Sequence, residues 1–186
     1  HIMEEQIMRG ARLVKNVQML SEMEESPFPL KKINLKEILR ETVDFLLNSY
    51  PTKVINVNWS LPEDQILVRA NFLLADVFEN ILLNAVRHNL NQRVKICVNA
   101  SRKNVEKTRH VRISIADNGM GIPDERKRAI FERTREYPNS GKGLGLGLSL
   151  VKKIVDSYQG KIWAEDRIPE DYSKGTKFIM LIPEAR

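Results

Sequence analysis

Apolar positions along this chain recur with two periods, and the changes between them mark out its elements. From Glu4 to about Glu24, Ile7, Ala11, Val14, Val17 and Leu20 fall at helical spacing with few apolar neighbours in sequence to cover them. That is the pattern of a helix made to pack on a partner helix. Ser26-Pro27-Phe28-Pro29 ends it. Asn34 with Glu37 three residues on reads as a capping box opening a helix over 35–49, which Pro51 stops. Alternating, β-rich stretches at 54–59 and 66–69 follow, parted by the turn Leu61-Pro62-Glu63-Asp64. A strong helix over 71–88 carries the stripe Leu74, Val77, Phe78, Ile81 and Ala85.

Strands at 94–100 and 111–116 flank a charged hairpin, and 123–133 reads as a short helix before a polar loop over 134–143. A glycine-rich turn opens a last helix that ends at Gly160, a favourable C′ residue. Strands at 161–164 and 176–182 close the chain. Helices and strands mix without regular βαβ alternation, which predicts an α+β fold, a two-layer sandwich. No repeat or low-complexity tract interrupts it. The expected organisation is a cloning remnant at 1–3, a partial helix at 4–26 and one domain at 27–186.

Composition narrows this picture only a little. At 186 residues, 42% hydrophobic and 29% charged, the chain can bury one ample core. No apolar run reaches the length of a membrane span and no leader is expected. The lone Cys97 excludes an internal disulfide and a cysteine metal cluster, and its place in the alternating 94–98 stretch predicts a buried strand thiol. The formal charge is +6, but the basic residues alternate with acids rather than forming a run. That is the pattern of solvated faces, and nucleic acid is not an expected partner.

Chemistry concentrates at three places. Gly141-Lys142-Gly143-Leu144-Gly145-Leu146-Gly147-Leu148 puts four of the nine glycines at alternate positions just before a helix. Free N–H groups and the dipole at such a start suit a phosphate, although neither the Walker nor the dinucleotide spacing is met. A flexible loop capping the helix is the plainer alternative. Asn80 and Asn84 stand one helical turn apart, with Arg87 and His88 on the same edge. Amide oxygens beside a cation suit a Mg²⁺–phosphate complex, and hydrogen bonding to a neighbouring strand is the other reading. Asp117-Asn118-Gly119-Met120-Gly121-Ile122 follows a strand directly. It sets a carboxylate at the strand end with two glycines where a flat ring could lie, or it makes a simple Asp-Asn-Gly turn.

Taken in order, these motifs resemble the ATP-binding domain of sensor histidine kinases, in the superfamily shared with DNA gyrase, Hsp90 and MutL. Glu79 to His88 resembles the family's N box, Asp117 to Gly121 its G1 box, Phe131-Glu132-Arg133 its F box, and Gly143 to Leu148 its G2 box. Gly160 to Glu165 and Gly175 to Phe178 are similar to the closing strands, so the likeness covers roughly 30–184. It implies the Bergerat-type sandwich, a mixed sheet covered on one face by helices, plus an N-terminal helix.

The resemblance also implies roles. Asn84 would hold Mg²⁺ against the phosphates of ATP, with Asn80 assisting, and Arg87 would contact phosphate. His88 would pack near the nucleoside. Asp117 would accept a hydrogen bond from the adenine amino group, helped by Thr176 through water, while Gly119, Gly121 and Ile122 let the base approach. Arg133 and Lys142 would reach the terminal phosphate, and Gly143, Leu144, Gly145, Leu146, Gly147 and Leu148 would cradle the phosphates. Catalysis would rest on Asn84, Arg87 and Arg133.

Two departures matter. Leu144 stands where the family commonly has Thr, and the only histidines are His1, His88 and His110, none in a helical acceptor context. The helix over 4–24 resembles the second dimerisation helix, so the acceptor helix is expected outside this chain. The expected activity is transfer of the γ-phosphoryl of Mg-ATP to a histidine on that helix. Expected partners are the histidine-bearing helix and a response-regulator receiver domain, in a homodimeric parent. The likeness implies a cytoplasmic domain, whether or not the parent is membrane-anchored. Alternatives are a gyrase-type ATPase switch or an anti-sigma-like serine kinase. Gyrase-type relatives carry a glutamate base four residues before the Mg²⁺ asparagine, where this chain has Asn80, and an amide cannot take a proton.

Overall fold

Alternation along neighbouring strands decides which side of the sheet becomes core. The computed structural model describes residues 10–11, 14, 16–19, 21–23, 28–105, 108–132 and 146–185. The elements run β1 (Lys31–Asn34), α1 (Leu35–Ser49), β2 (Val54–Ser60), β3 (Leu67–Ala70) and α2 (Leu73–Arg87). They continue with β4 (Arg93–Val105), β5 (Thr108–Asp117), α3 (Arg126–Ala129), α4 (Leu146–Ser157), β6 (Lys161–Ile168) and β7 (Asp171–Pro183). A five-stranded sheet takes the order β2-β4-β5-β7-β6, with β2 parallel to β4 and every other pair antiparallel. The parallel pair is joined through α2, as a parallel connection requires a long crossover.

On one side of this sheet Val94, Ile96, Val98 and Ala100 share a face with Val111, Ile113 and Ile115, then with Phe178, Met180 and Ile182. All are buried beneath the helical layer, in which α2 reaches β4 and β5, α4 reaches β6, and α1 packs on α2. Burying a side chain of this size stabilises by about 1.5–3 kcal/mol, so the register is strongly determined. The two-layer α+β architecture is the expected one.

Local chemistry sets the helix ends. The Asn34 side chain accepts from the backbone N–H of Lys36 at 3.2 Å, capping α1, and its amide donates to Glu37 at 2.6 Å. The capping-box pair therefore forms, but side chain to side chain. Asn71 starts α2 by accepting from the Leu73 N–H at 3.0 Å, and it also receives the Tyr158 hydroxyl at 2.7 Å.

Several expectations need correction. Strand β1 is absent from the sequence reading, because a four-residue segment with two lysines becomes a strand only by pairing with β3. The short helix expected over 123–133 is confined to Arg126–Ala129; Phe131 instead turns inward, edge-on to Phe178 at 6.1 Å. Strands β4 to β7 extend well past their expected ends. Cys97 does lie on a strand, but out of phase with Ile96 and Val98, so it is half-buried on the face away from the helices. In the N-terminal helix, Val14 and Val17 of the expected stripe are exposed, while Asn16 and Met19 are buried. Ile7, Leu20 and the loop over 134–143 lie outside the described residues.

Candidate nucleotide site

Asp117 ends β5, its side chain on the core side of the sheet, and is 6% exposed. One carboxylate oxygen accepts from the Gly119 backbone N–H at 2.7 Å, and the Thr176 backbone N–H on β7 donates to the same carboxylate. Burial nevertheless dominates and pushes its pKa from the ordinary 3.8 up to about 6. A partly desolvated acceptor at a strand end, with Thr176 also buried beside it, is poised for a polar ligand edge.

Three glycines shape the space around it. A side chain at Gly121, whose φ is +71°, would run into the Tyr172 carbonyl at 1.6 Å. One at Gly175, φ +119°, would meet the Asp117 carbonyl at 2.0 Å. Both positions demand glycine for conformation and for space. At Gly119 the obstacle is the His88 carbonyl, 2.7 Å from a would-be Cβ, and that carbonyl accepts from the Met120 N–H at 3.1 Å. The C-terminal end of α2 is therefore laid directly against the turn that follows Asp117.

On α2, Asn80 and Asn84 are half-buried, and Arg87 and His88 are exposed at its end. The Asn80 amide donates to the Asp76 carbonyl at 2.8 Å, which leaves its oxygen facing the first turn of α4, where a Cβ on Gly147 would lie 2.7 Å away. Among the described residues, the Asn84 amide and the Arg87 guanidinium have no side-chain partner. The structure thus brings together Asn80, Gly147 and Leu148 on one side and His88, Gly119 and Asp117 on the other. Leu146 opens α4 and Ile122 is half-buried beyond the Gly121 turn. Arg133, Lys142, Gly143, Leu144 and Gly145 lie outside the described residues.

No group of three or more His, Cys, Asp or Glu is placed to hold a metal among the described residues. A divalent cation here would rest on amide and phosphate oxygens, a donor set that suits Mg²⁺. None of these residues lines the groove of about 350 Å³ beside β6, whose Lys127 and Asp166 pair with each other at 2.6 Å.

A set of asparagines that the sequence reading missed ties the two halves together. Asn89, 4% exposed, donates to the Asn118 side-chain oxygen at 2.9 Å, which also accepts from the Lys95 N–H at 2.7 Å. Asn91 donates to the Asn89 oxygen at 3.0 Å and to the Asn118 carbonyl at 2.6 Å. This polar clamp holds the end of α2 to the start of the Gly119 turn. The signal was present as His88-Asn89-Leu90-Asn91 just past a helix end, but its partner, Asn118, is far along the chain.

A family profile described as histidine kinase-, DNA gyrase B-, and HSP90-like ATPase matches residues 70–186. The adaptive-response sensory kinase SasA of Synechocystis sp. is 28% identical over 180 residues, covering 94% of this chain and 45% of that protein. Sensor protein kinase WalK of Staphylococcus haemolyticus is 29% identical over 195 residues, covering 96% and 29%. The chain therefore spans less than half the length of these curated relatives. Among solved structures, the nucleotide-free catalytic domain of histidine kinase ThkA matches with a TM-score of 0.70 at 28% identity, covering 86% of this chain and 100% of that one. ThkA in complex with the response regulator protein TrrA matches with a TM-score of 0.71 at 25% identity, covering 99% and 50%.

Proposed function

This chain belongs to the family of histidine kinase-, DNA gyrase B- and HSP90-like ATPases, and from that premise we propose that it is the ATP-binding catalytic part of a two-component sensor histidine kinase. The observation that carries the proposal is the buried Asp117 carboxylate, held by two backbone N–H groups at a turn whose glycines are packed directly against neighbouring backbone carbonyls. In this reading Asp117 accepts a hydrogen bond from the adenine amino group, with Thr176 beside it, and the Gly119–Ile122 turn lies against the base. His88 packs by the nucleoside. The phosphates extend between α2 and the start of α4, where Arg87, Arg133 and Lys142 supply positive charge. Gly143, Leu144, Gly145, Leu146, Gly147 and Leu148 cradle them.

Asn84, with Asn80 one turn before it, fits a hard cation through its unspent amide oxygen. Mg²⁺ held by Asn84 and Asn80 would supply charge neutralisation to the phosphates, and the protein's part in such a transfer is mainly positioning. The acceptor is a histidine on a dimerisation helix, followed by a response regulator's receiver domain, the kind of partner seen with ThkA. The parent is a homodimer with this domain on the cytoplasmic side. Asn80 at the position of a water-activating base favours phosphotransfer to a protein over hydrolysis.

Calorimetry with Mg-ATP and phosphate release on the same sample test this. Binding that falls at least tenfold in Asp117→Ala, with negligible release, is the expected result. Steady turnover abolished in Asn84→Ala would instead place the chain among the ATPases.

A further inference from the structure

Charge is divided unevenly between the two sides of the five-stranded sheet. Lysines and arginines that are scattered between acids in sequence occupy alternate strand positions, and the register gathers them. Arg93, Lys95 and Lys103 on β4 share a face with Arg112 on β5, Lys177 on β7 and Lys161 on β6. It is the face away from the helices, shared with Cys97. The paired rows of that face contain one carboxylate, Glu165, already engaged by Lys177 at 3.0 Å and by the Trp163 indole N–H at 2.8 Å. Six cations against one carboxylate leave an excess of five positive charges, while the whole chain carries +6. The rest of the molecule is nearly balanced. Among the described residues Arg93, Lys95, Lys103 and Lys161 form no ion pair.

We propose that this open sheet face is a docking surface for an anionic lipid membrane. Its chemistry selects among polyanions. A protein partner would want an apolar, lysine-poor centre. Here four of the six cations are lysines, and the central Ile179 is fully buried beneath its neighbours. A single-stranded nucleic acid would want several stacking aromatics. The rows hold one, Trp163, half-buried and tied to Glu165. The remaining exposed positions are mostly small and polar, Asn56, Asn58, Ser60, Asn99, Ser101 and Thr108, with the apolar Val54 exposed beside Arg93 on the edge strand β2. Lysine charge spread over several strands, most of it away from the groove that Lys177 and Glu165 help to line, matches a fluid anionic surface, where each Lys or Arg near the membrane adds to affinity independently. No helix among the described residues is long and apolar enough to cross a membrane, so the contact is peripheral. The nucleotide-site side chains lie on the helix-covered side, so docking leaves that site open.

Co-sedimentation of the 186-residue chain with phosphatidylcholine vesicles, with and without phosphatidylserine, tests the proposal. Binding is expected to the phosphatidylserine vesicles alone and to fall steeply as salt is raised. Neutralising Lys95, Lys103 or Lys161 to Gln should weaken it about fivefold per residue. The double variant Lys31→Gln, Lys32→Gln removes two charges from β1, off this face, one more than each single change, and should still bind as the parent does. These exposed side chains can be changed without touching the core, and circular dichroism verifies the fold. Equal loss in the β1 control, binding to neutral vesicles, or no binding at all would overturn the proposal. So would a single-stranded oligonucleotide that binds more tightly and competes the vesicles off.

Discussion

At the scale of single residues, the site depends on groups held where they would not rest unaided. Asp117 is the clearest case, its folded pKa of about 6 lying above the ordinary 3.8. Its ionisation therefore opposes folding: the cost is absent below pH 3.8, grows through the window up to about 6, and is complete above it. It amounts to roughly 3 kcal/mol at neutral pH. Asp117→Asn does not titrate, so its melting temperature relative to the parent should rise between pH 4 and pH 7, a trend that thermal melts at a series of pH values can check. Nucleotide binding should run the other way. If the ionised carboxylate is the acceptor, as proposed, calorimetric affinity for Mg-ATP should drop by up to tenfold per pH unit below 6 and stay flat above it. Asn89, buried with both ends of its amide used, makes a second test. Asn89→Ala strands the Asn91 and Asn118 groups, costs about 1–3 kcal/mol in a denaturant melt, and weakens nucleotide binding because Gly119 loses its anchor on α2.

At the scale of elements, what matters is how closely α2 and α4 approach. Gly147 sits inside the first turn of α4, where alanine would favour the helix by about 1 kcal/mol. The added Cβ, however, would press on the Asn80 oxygen at 2.7 Å. Gly147→Ala should consequently leave the melting temperature close to that of the parent while lowering Mg-ATP affinity, a split that calorimetry and melts on one preparation reveal. The two helices are fastened at the other end by the Tyr158 hydroxyl on Asn71. Tyr158→Phe removes that bond alone and should cost about 1 kcal/mol in urea unfolding. The limits of α1 and α2 were well legible in the sequence because their causes are local: the Asn34 and Asn71 side chains each accept a backbone N–H two residues on. Strand β1 was not, because Lys31–Asn34 has little β character and depends on β3 for its partner.

At the scale of the whole molecule, one arginine closes the chain on itself. Arg102, on β4, bonds Glu184 near the C-terminus at 2.5 Å, the Asp64 carboxylate at 2.8 Å and the Gln65 carbonyl at 3.0 Å. The Glu184 side chain is 9% exposed, so removing Arg102 would leave a nearly buried carboxylate unpaired. Arg102→Ala should lower the melting temperature clearly more than Lys152→Ala, which breaks an exposed pair with Asp156 within α4. Both variants lose one positive charge, so the comparison isolates burial from net charge.

The sequence by itself determined the class of fold and most of the elements, and it nominated the candidate site residues. Their signals are short-ranged: periodicity along a helix or strand, a capping side chain, a carboxylate followed by glycines. Only the tertiary structure decided what those residues have as neighbours. Gly175 must be glycine because β7 crosses the Asp117 carbonyl, and Asn89 becomes a buried clamp because Asn118 arrives beside it from the next strand. The cations of β4 to β7 read as scattered charge along the chain, yet they form one basic face. A strand sends alternate side chains to opposite sides, and pairing sums that alternation over strands far apart in sequence. No local pattern contains that sum.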